Sequence, residues 1–182
     1  MTRKTDLDSI HRSRRLPTYR ELIRRGARQH GPRVAVVFGG QSMSFAEVDR
    51  LSSQLAHALI AEGGGGTRVA LLLDNGLHSV PVDFACVRAN VNRVPLNSRL
   101  SLAEHRRMLE ETGCRVLVYG ASLAQRAQEL RDAVPGLRAL GLGVAALDDI
   151  LAIAAGMPAD EPDTPAQPED VVLTLFTSGT TG

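Results

Sequence analysis

The sequence predicts an α/β fold, a mainly parallel sheet flanked by helices, and three observations carry that prediction. Short apolar runs suited to strands alternate with helix-period segments along most of the 182 residues. The run Val69-Ala70-Leu71-Leu72-Leu73 has no polar face, as in a strand covered by helices on both sides. Three capping boxes, Thr18 with Glu21, Ser44 with Glu47 and Ser101 with Glu104, each open a stretch of helical periodicity.

In chain order, Thr18 opens a helix over 19–29, which Gly31-Pro32 ends. Val34–Phe38 reads as a strand, Gly39-Gly40 as a hairpin turn, and 41–44 as its return. From Ser44, Val48, Leu51, Leu55 and Leu59 line one helical face until Gly63-Gly64-Gly65-Gly66 interrupts it. The Val69–Leu73 strand turns at Asp74-Asn75-Gly76 into a helix over 77–89, where Pro81 is tolerated in the first turn. A short strand over 91–96 follows, then the polar loop Asn97-Ser98-Arg99, then a helix over 101–112 stopped by Gly113. Residues 115–119 form a strand, 122–133 a helix ended by Pro135-Gly136, 137–140 a weaker strand and 148–155 a short helix whose start Asp148-Asp149 supports. Prolines 158, 162, 165 and 168 with five acids mark 156–170 as an extended surface linker. The apolar run Val171–Phe176 then reads as a buried strand.

The expected organisation is therefore a disordered basic arm over 1–17, an α/β unit over 18–155, the Pro/acidic linker over 156–170, and a strand plus turn over 171–182. A hydrophobic content of 43% with 23% charged residues is that of a soluble globular protein. With 3% aromatics and no Trp, the core must be Leu, Val, Ile and Ala. The net charge of +1 argues against general nucleic-acid affinity, and the ten basic side chains within 1–33 lack interleaved aromatics for base stacking. Cys86 and Cys114 are too few for a disulfide framework or a metal site and read as small core residues. The five histidines are scattered, with no i, i+4 pair. No apolar segment reaches the roughly 20 residues of a membrane span, and no secretory leader is apparent, so a cytoplasmic location is expected.

The chemistry concentrates in the last six residues, Thr177-Ser178-Gly179-Thr180-Thr181-Gly182. Gly179 and Gly182 allow close backbone approach to an anion, and successive N–H groups can form a nest around it. Thr177, Ser178, Thr180 and Thr181 add four hydroxyl donors, each charge-assisted bond to phosphate contributing roughly 1.5–3 kcal/mol. The turn has no lysine of the G-x-x-x-x-G-K-[ST] type and is not a Walker A loop. By itself, such a turn is also compatible with an ordinary polar terminus.

Further segments add to it. Thr177–Gly182 matches, at all six positions, the Thr-Ser-Gly-Thr-Thr-Gly loop of the AMP-forming adenylating enzymes, which include acyl- and aryl-CoA synthetases, nonribosomal-peptide adenylation domains and luciferases. Met43–Val48 resembles their early T-Y-x-E-L segment, and Arg68–Asn75 their R-V-A-L-L-L-P-N strand. Phe84–Ala89 through Val94–Leu100 is similar to their A-x-x-R-A-G-A-x-x-V-P-L-N-P-R-L block, and Arg115–Val118 to the strand that comes next. Asn90 stands where a glycine is usual, and Asn tolerates the left-handed region better than most residues. Asn92 and Arg93 replace apolar residues and put the pairing of that strand in question.

The resemblance implies the N-terminal part of the family's large domain. It also implies a reaction in which a carboxylic acid and ATP give an acyl-adenylate and pyrophosphate, and coenzyme A or a carrier thiol then takes the acyl group as a thioester; a fatty acid is the first expectation, with aryl and amino acids as alternatives. ATP with Mg²⁺ is the implied cofactor set, and Thr177, Ser178, Gly179, Thr180, Thr181 and Gly182 are the implied phosphate-binding residues. The resemblance assigns no catalytic and no metal-binding residue within 1–182. The family's Mg²⁺ and ribose carboxylates and its catalytic lysine belong to later motifs, and the only lysine here is Lys4. The 182 residues alone are expected to be inactive in adenylation. The alternative expectation is a non-catalytic binding or assembly module that completes its fold with a partner chain or by self-association.

Overall fold

The computed structural model describes residues 18–145, 148–167 and 169–177. The expected basic arm over 1–17 lies outside them. Helix α1 (Tyr19–His30) is capped by Thr18, whose side chain accepts from the Glu21 amide while Glu21 accepts from the Thr18 amide. The hairpin β1 (Val34–Phe38) and β2 (Gln41–Ser44) forms the predicted two-stranded antiparallel ribbon. It leads through the Ser44–Glu47 capping box into α2 (Phe45–Ala61). The chain continues through β3 (Arg68–Leu72), α3 (Ser79–Arg88), β4 (Asn92–Pro95), α4 (Leu102–Thr112) and β5 (Val116–Gly120). A 3₁₀ turn, α5 (Ala124–Ala133), β6 (Arg138–Leu142) and α6 (Ile150–Ala155) complete it. Asp149 caps α6 by accepting from the Leu151 amide at 3.0 Å.

Strands β4-β3-β5-β6 form one fully parallel sheet in that order. Alternate residues of its strands face opposite layers. Val69, Val116, Val118 and Leu140 join Leu55, Leu59, Val82, Cys86 and Ile150, from α2, α3 and α6, on one face. Ala70, Leu72, Val94 and Leu117 join Met108, Leu109, Ala127 and Leu130, from α4 and α5, on the other. Both layers are filled by aliphatic side chains, as the scarcity of aromatics requires. Both cysteines are buried and free, and burial pushes the Cys86 thiol up to about 12.

Two backbone positions depend on residue type. Gly113 ends α4 at φ +65°, a left-handed conformation that closes the helix with amide bonds to Glu110 and Leu109. Asn90 is the one non-glycine at positive φ among the described residues, at +53°, so the turn survives the usual glycine's replacement. The pairing of β4 survives too: Asn92 lies opposite Arg68 and Arg93 opposite Val69 in register with β3.

The capping boxes make stability pH-dependent. The Ser44 amide and then its hydroxyl hold the Glu47 carboxyl below its ordinary range, as the Ser101 hydroxyl and then its amide hold that of Glu104. A depressed folded-state pKa gives a contribution that is complete above the unfolded value of about 4.3 and is lost as pH falls through the lower folded values. The urea midpoint is therefore expected to drop as pH is lowered from about 5 toward 3. The double variant Glu47→Gln/Glu104→Gln should show a shallower drop, because Gln still caps without titrating; equal slopes would refute this origin.

Candidate functional site

The run Val171–Phe176 docks beside β4 on the side opposite β3. Leu173 makes a parallel bridge with Arg93. The Arg93 amide donates to Val172 O at 3.2 Å and the Thr174 amide to Arg93 O at 2.9 Å. Asn92 and Arg93, the polar departures within β4, hold this segment. The Asn92 Oδ1 accepts from the Thr174 hydroxyl at 3.0 Å, and the Arg93 Nε donates to Val172 O at 3.2 Å while its guanidinium pairs with Asp83.

The expectation of a buried strand is corrected here. The segment makes only the single bridge, and Val171, Leu173, Leu175 and Phe176 are all exposed, Leu175 at 64% and Phe176 at 40%. An apolar hexapeptide has the composition of a doubly covered strand, but this one has β4 on one edge and four of its six residues are exposed. Leu173's own N–H and C=O, on the outer edge, take no partner among those residues.

The parallel direction sets where Thr177 emerges. Thr177 lies as far beyond Leu173 as Asn97 lies beyond Arg93, so the register leads the chain to the carboxyl end of the sheet. That is the end at which open α/β sheets hold ligands. Thr177 is exposed there; Ser178, Gly179, Thr180, Thr181 and Gly182 lie outside the described residues. Loops after three strands converge at the same end. Asp74, following β3, accepts from Ser98 at 3.1 Å and from Ser122 at 2.9 Å. Beneath them, the fully buried His105 has Nε2 2.8 Å from Asn97 O and Nδ1 3.3 Å from the Arg126 guanidinium. Arg99 is exposed. A polar cleft of about 350 Å³ lies at the opposite, amino end, between Arg68, Asn90, Asn92 and Asp170.

Sequence reasoning missed an ionic cluster beneath the linker. Arg88, 1% exposed, donates to Ser53 Oγ at 2.5 Å and to Asp49 and lies 3.6 Å from Glu161. Glu161, 9% exposed, also pairs with Arg24 at 2.6 Å and faces Arg20 at 3.4 Å. The Arg20 approach is Coulombic rather than hydrogen-bonded, since Arg20 Nε and Glu161 Oε1 are buried without hydrogen-bond partners. Burial lowers the Arg20 pKa against the opposing pull of Glu161. One signal was available: Arg88 is the only charge in the run Phe84–Ala89 on an otherwise apolar helix end. The expected surface linker is thus extended but anchored by a buried carboxylate.

Among the described residues no group of three or more His, Cys, Asp or Glu could hold a metal, and no helix is long and apolar enough to cross a membrane.

Comparison with known proteins gives a consistent result. The family described as AMP-binding enzyme matches residues 23–182. The 3-hydroxybenzoate–CoA ligase of Aromatoleum sp. (strain CIB) is 32% identical over 156 residues, 81% of this chain and 29% of the ligase. The long-chain-fatty-acid–CoA ligase FadD13 of Mycobacterium tuberculosis (strain ATCC 25618 / H37Rv) is 32% identical over 143 residues, 77% of this chain and 28% of that protein. Among solved structures, the inhibitor-bound N-terminal domain of FACL13 from Mycobacterium tuberculosis aligns with a TM-score of 0.79 at 26% identity, over 90% of this chain and 42% of that one. The chain therefore spans less than a third of the length of these two curated relatives.

Proposed function

The chain belongs to the AMP-binding enzyme family, and from that premise we propose that it supplies the phosphate grip of a carboxylic acid–CoA ligase without being able to adenylate an acid by itself. The observation that carries this reading is the parallel docking of Leu173 on Arg93, which directs Thr177 to the carboxyl end of the sheet. By composition, the four hydroxyls of Thr177, Ser178, Thr180 and Thr181, with the amides around Gly179 and Gly182, suit the β- and γ-phosphates of ATP. The donor set fits the anion and not its metal. It has no carboxylate, so Mg²⁺ would arrive on the nucleotide rather than on a resident site.

Phosphoryl and adenylyl chemistry needs groups that stabilise charge at the α-phosphate, and a lone Lys4 is no candidate. What this chain contributes is orientation. The loop holds the polyphosphate, and the sheet fixes the direction of approach. Relatives acting on aromatic and on fatty acids are equally similar, which supports a carboxylic acid substrate for the complete ligase; a fatty acid remains the proposed first choice.

Two measurements on the purified chain test this. ATP–Mg²⁺ should shift the Thr177, Gly179 and Gly182 amide resonances more than AMP does, and Gly179→Val should abolish the difference. ATP–pyrophosphate exchange with a panel of fatty and aromatic acids should remain at background. Equal shifts with ATP and AMP would refute the phosphate grip, and robust exchange would refute inactivity.

The second reading, an assembly module, draws on the exposed Val171, Leu173, Leu175 and Phe176 and the open edge of Leu173. Light scattering on the same samples separates the two. Defined oligomers favour this reading, and a monomer at all concentrations disfavours it.

A further inference from the structure

The segment from Met157 to Gln167 crosses the outer surface of α1, α2 and α3 and leads into the strand-like run beside β4. Several of its contacts use main-chain carbonyls. Gln54 donates to Met157 O at 3.2 Å, His57 Nε2 lies 3.1 Å from Asp160 O, and Asn90 donates to Pro165 O at 2.9 Å. Thr164 is tied more closely. Its hydroxyl donates to Arg88 O at 2.6 Å, and Arg20 reaches both its carbonyl and its hydroxyl. Of the three acids Asp160, Glu161 and Asp163, only Glu161 turns inward, where Arg20 and Arg24 of α1 and Arg88 of α3 all face it. Asp49 of α2 faces the same Arg88 from the far side.

We propose that Glu161 is a positioning residue: its carboxylate latches the 157–167 strap to α1 and α3, and through the strap it sets the register of Val172–Thr174 on β4. Three guanidiniums converge on one carboxylate, and no other side chain of the strap pairs with all three. The hydrogen bonds of Val172 and Thr174 to Arg93 are few and lie at the sheet edge, so they are easily lost once the strap lifts. The parallel sheet lies on the other side of α2 and α3 from Glu161; the strap meets the core beneath it at Met157, four residues earlier. The latch acts whether or not the terminal loop binds nucleotide, so it goes beyond the phosphate-grip reading and stands or falls separately from it.

Native-state hydrogen exchange on the whole chain tests the latch. In Glu161→Gln the Thr174 and Arg93 amides should exchange about 10- to 100-fold faster, the scale of one charge-assisted hydrogen bond. The Leu117 and Val118 amides of β5 should stay within about twofold, as expected for a local opening. Glu161→Asp, which keeps the charge, should restore most of the protection. If Thr174 exchange is unchanged, or if the edge and β5 amides accelerate together, the proposal is overturned. Should Glu161→Gln fail to fold, Arg24→Gln removes only the half-exposed partner. The same edge-selective pattern at a smaller factor supports the latch, and a uniform or null effect overturns it.

Discussion

Arg88→Ala is expected to lower the free energy of unfolding by about 3 kcal/mol, measured by urea denaturation at neutral pH. Arg88 is among the largest fully buried side chains of the molecule. Two effects add. Truncation leaves a cavity beside α2 and α3, as deletion of any large core side chain does. It also removes the donor to Ser53 and Asp49, and buried ion pairs broken from one side lose about 3–5 kcal/mol. The lower end applies for two reasons. Asp49 is 35% exposed and can turn to water, and Glu161 keeps Arg24 and Arg20. Arg88→Met separates the effects. It keeps most of the volume and removes the desolvated charge, so it should cost about 1–2 kcal/mol. If Met is as damaging as Ala, the charge matters more than the packing; if both lie within about 0.5 kcal/mol of the native chain, the cluster carries no stability.

Leu117→Ala is expected to cost about 3–4 kcal/mol, a large share of the roughly 5–15 kcal/mol that stabilises a domain. Leu117 is 0% exposed on β5, an interior strand with β3 and β6 on its two edges. Its neighbours in the core are held by the sheet and by α4 and α5, so the cavity cannot collapse. Leu175→Ala, in a run of equal hydrophobicity, should change stability by less than about 0.5 kcal/mol because Leu175 is largely in solvent. Similar losses at the two positions in this 182-residue chain would mean that the terminal run is covered after all.

Local stereochemistry was legible without coordinates. Thr18, Ser44 and Ser101 cap their helices because a hydroxyl and a glutamate three residues on satisfy amides that any helix start leaves unpaired. Gly113 takes positive φ because it has no Cβ to clash, and Asn90 because its short polar side chain tolerates the left-handed region. The unbroken run in β3 announced burial on both faces, and both faces are covered. The terminal hexapeptide Thr177–Gly182 reads as an anion-binding turn from its hydroxyls and glycines alone, and its last five residues lie outside the described ones.

Long-range placement was not legible. The same apolar signal that correctly read β3 over-read Val171–Phe176, because hydrophobicity records what a segment could bury and not what lies next to it. Asn92 and Arg93 put the pairing of β4 in question, yet they grip the neighbouring segment. Glu161 was one acid among five in a proline-rich stretch. The sequence alone thus determined helix ends, turns and the identity of the six strands, each of which depends on a few neighbouring residues. Only the tertiary structure decided strand order, exposure of the final segment and the convergence of Arg20, Arg24, Arg88 and Asp49 with Glu161. Those depend on contacts between residues far apart in the chain, which local periodicity does not encode.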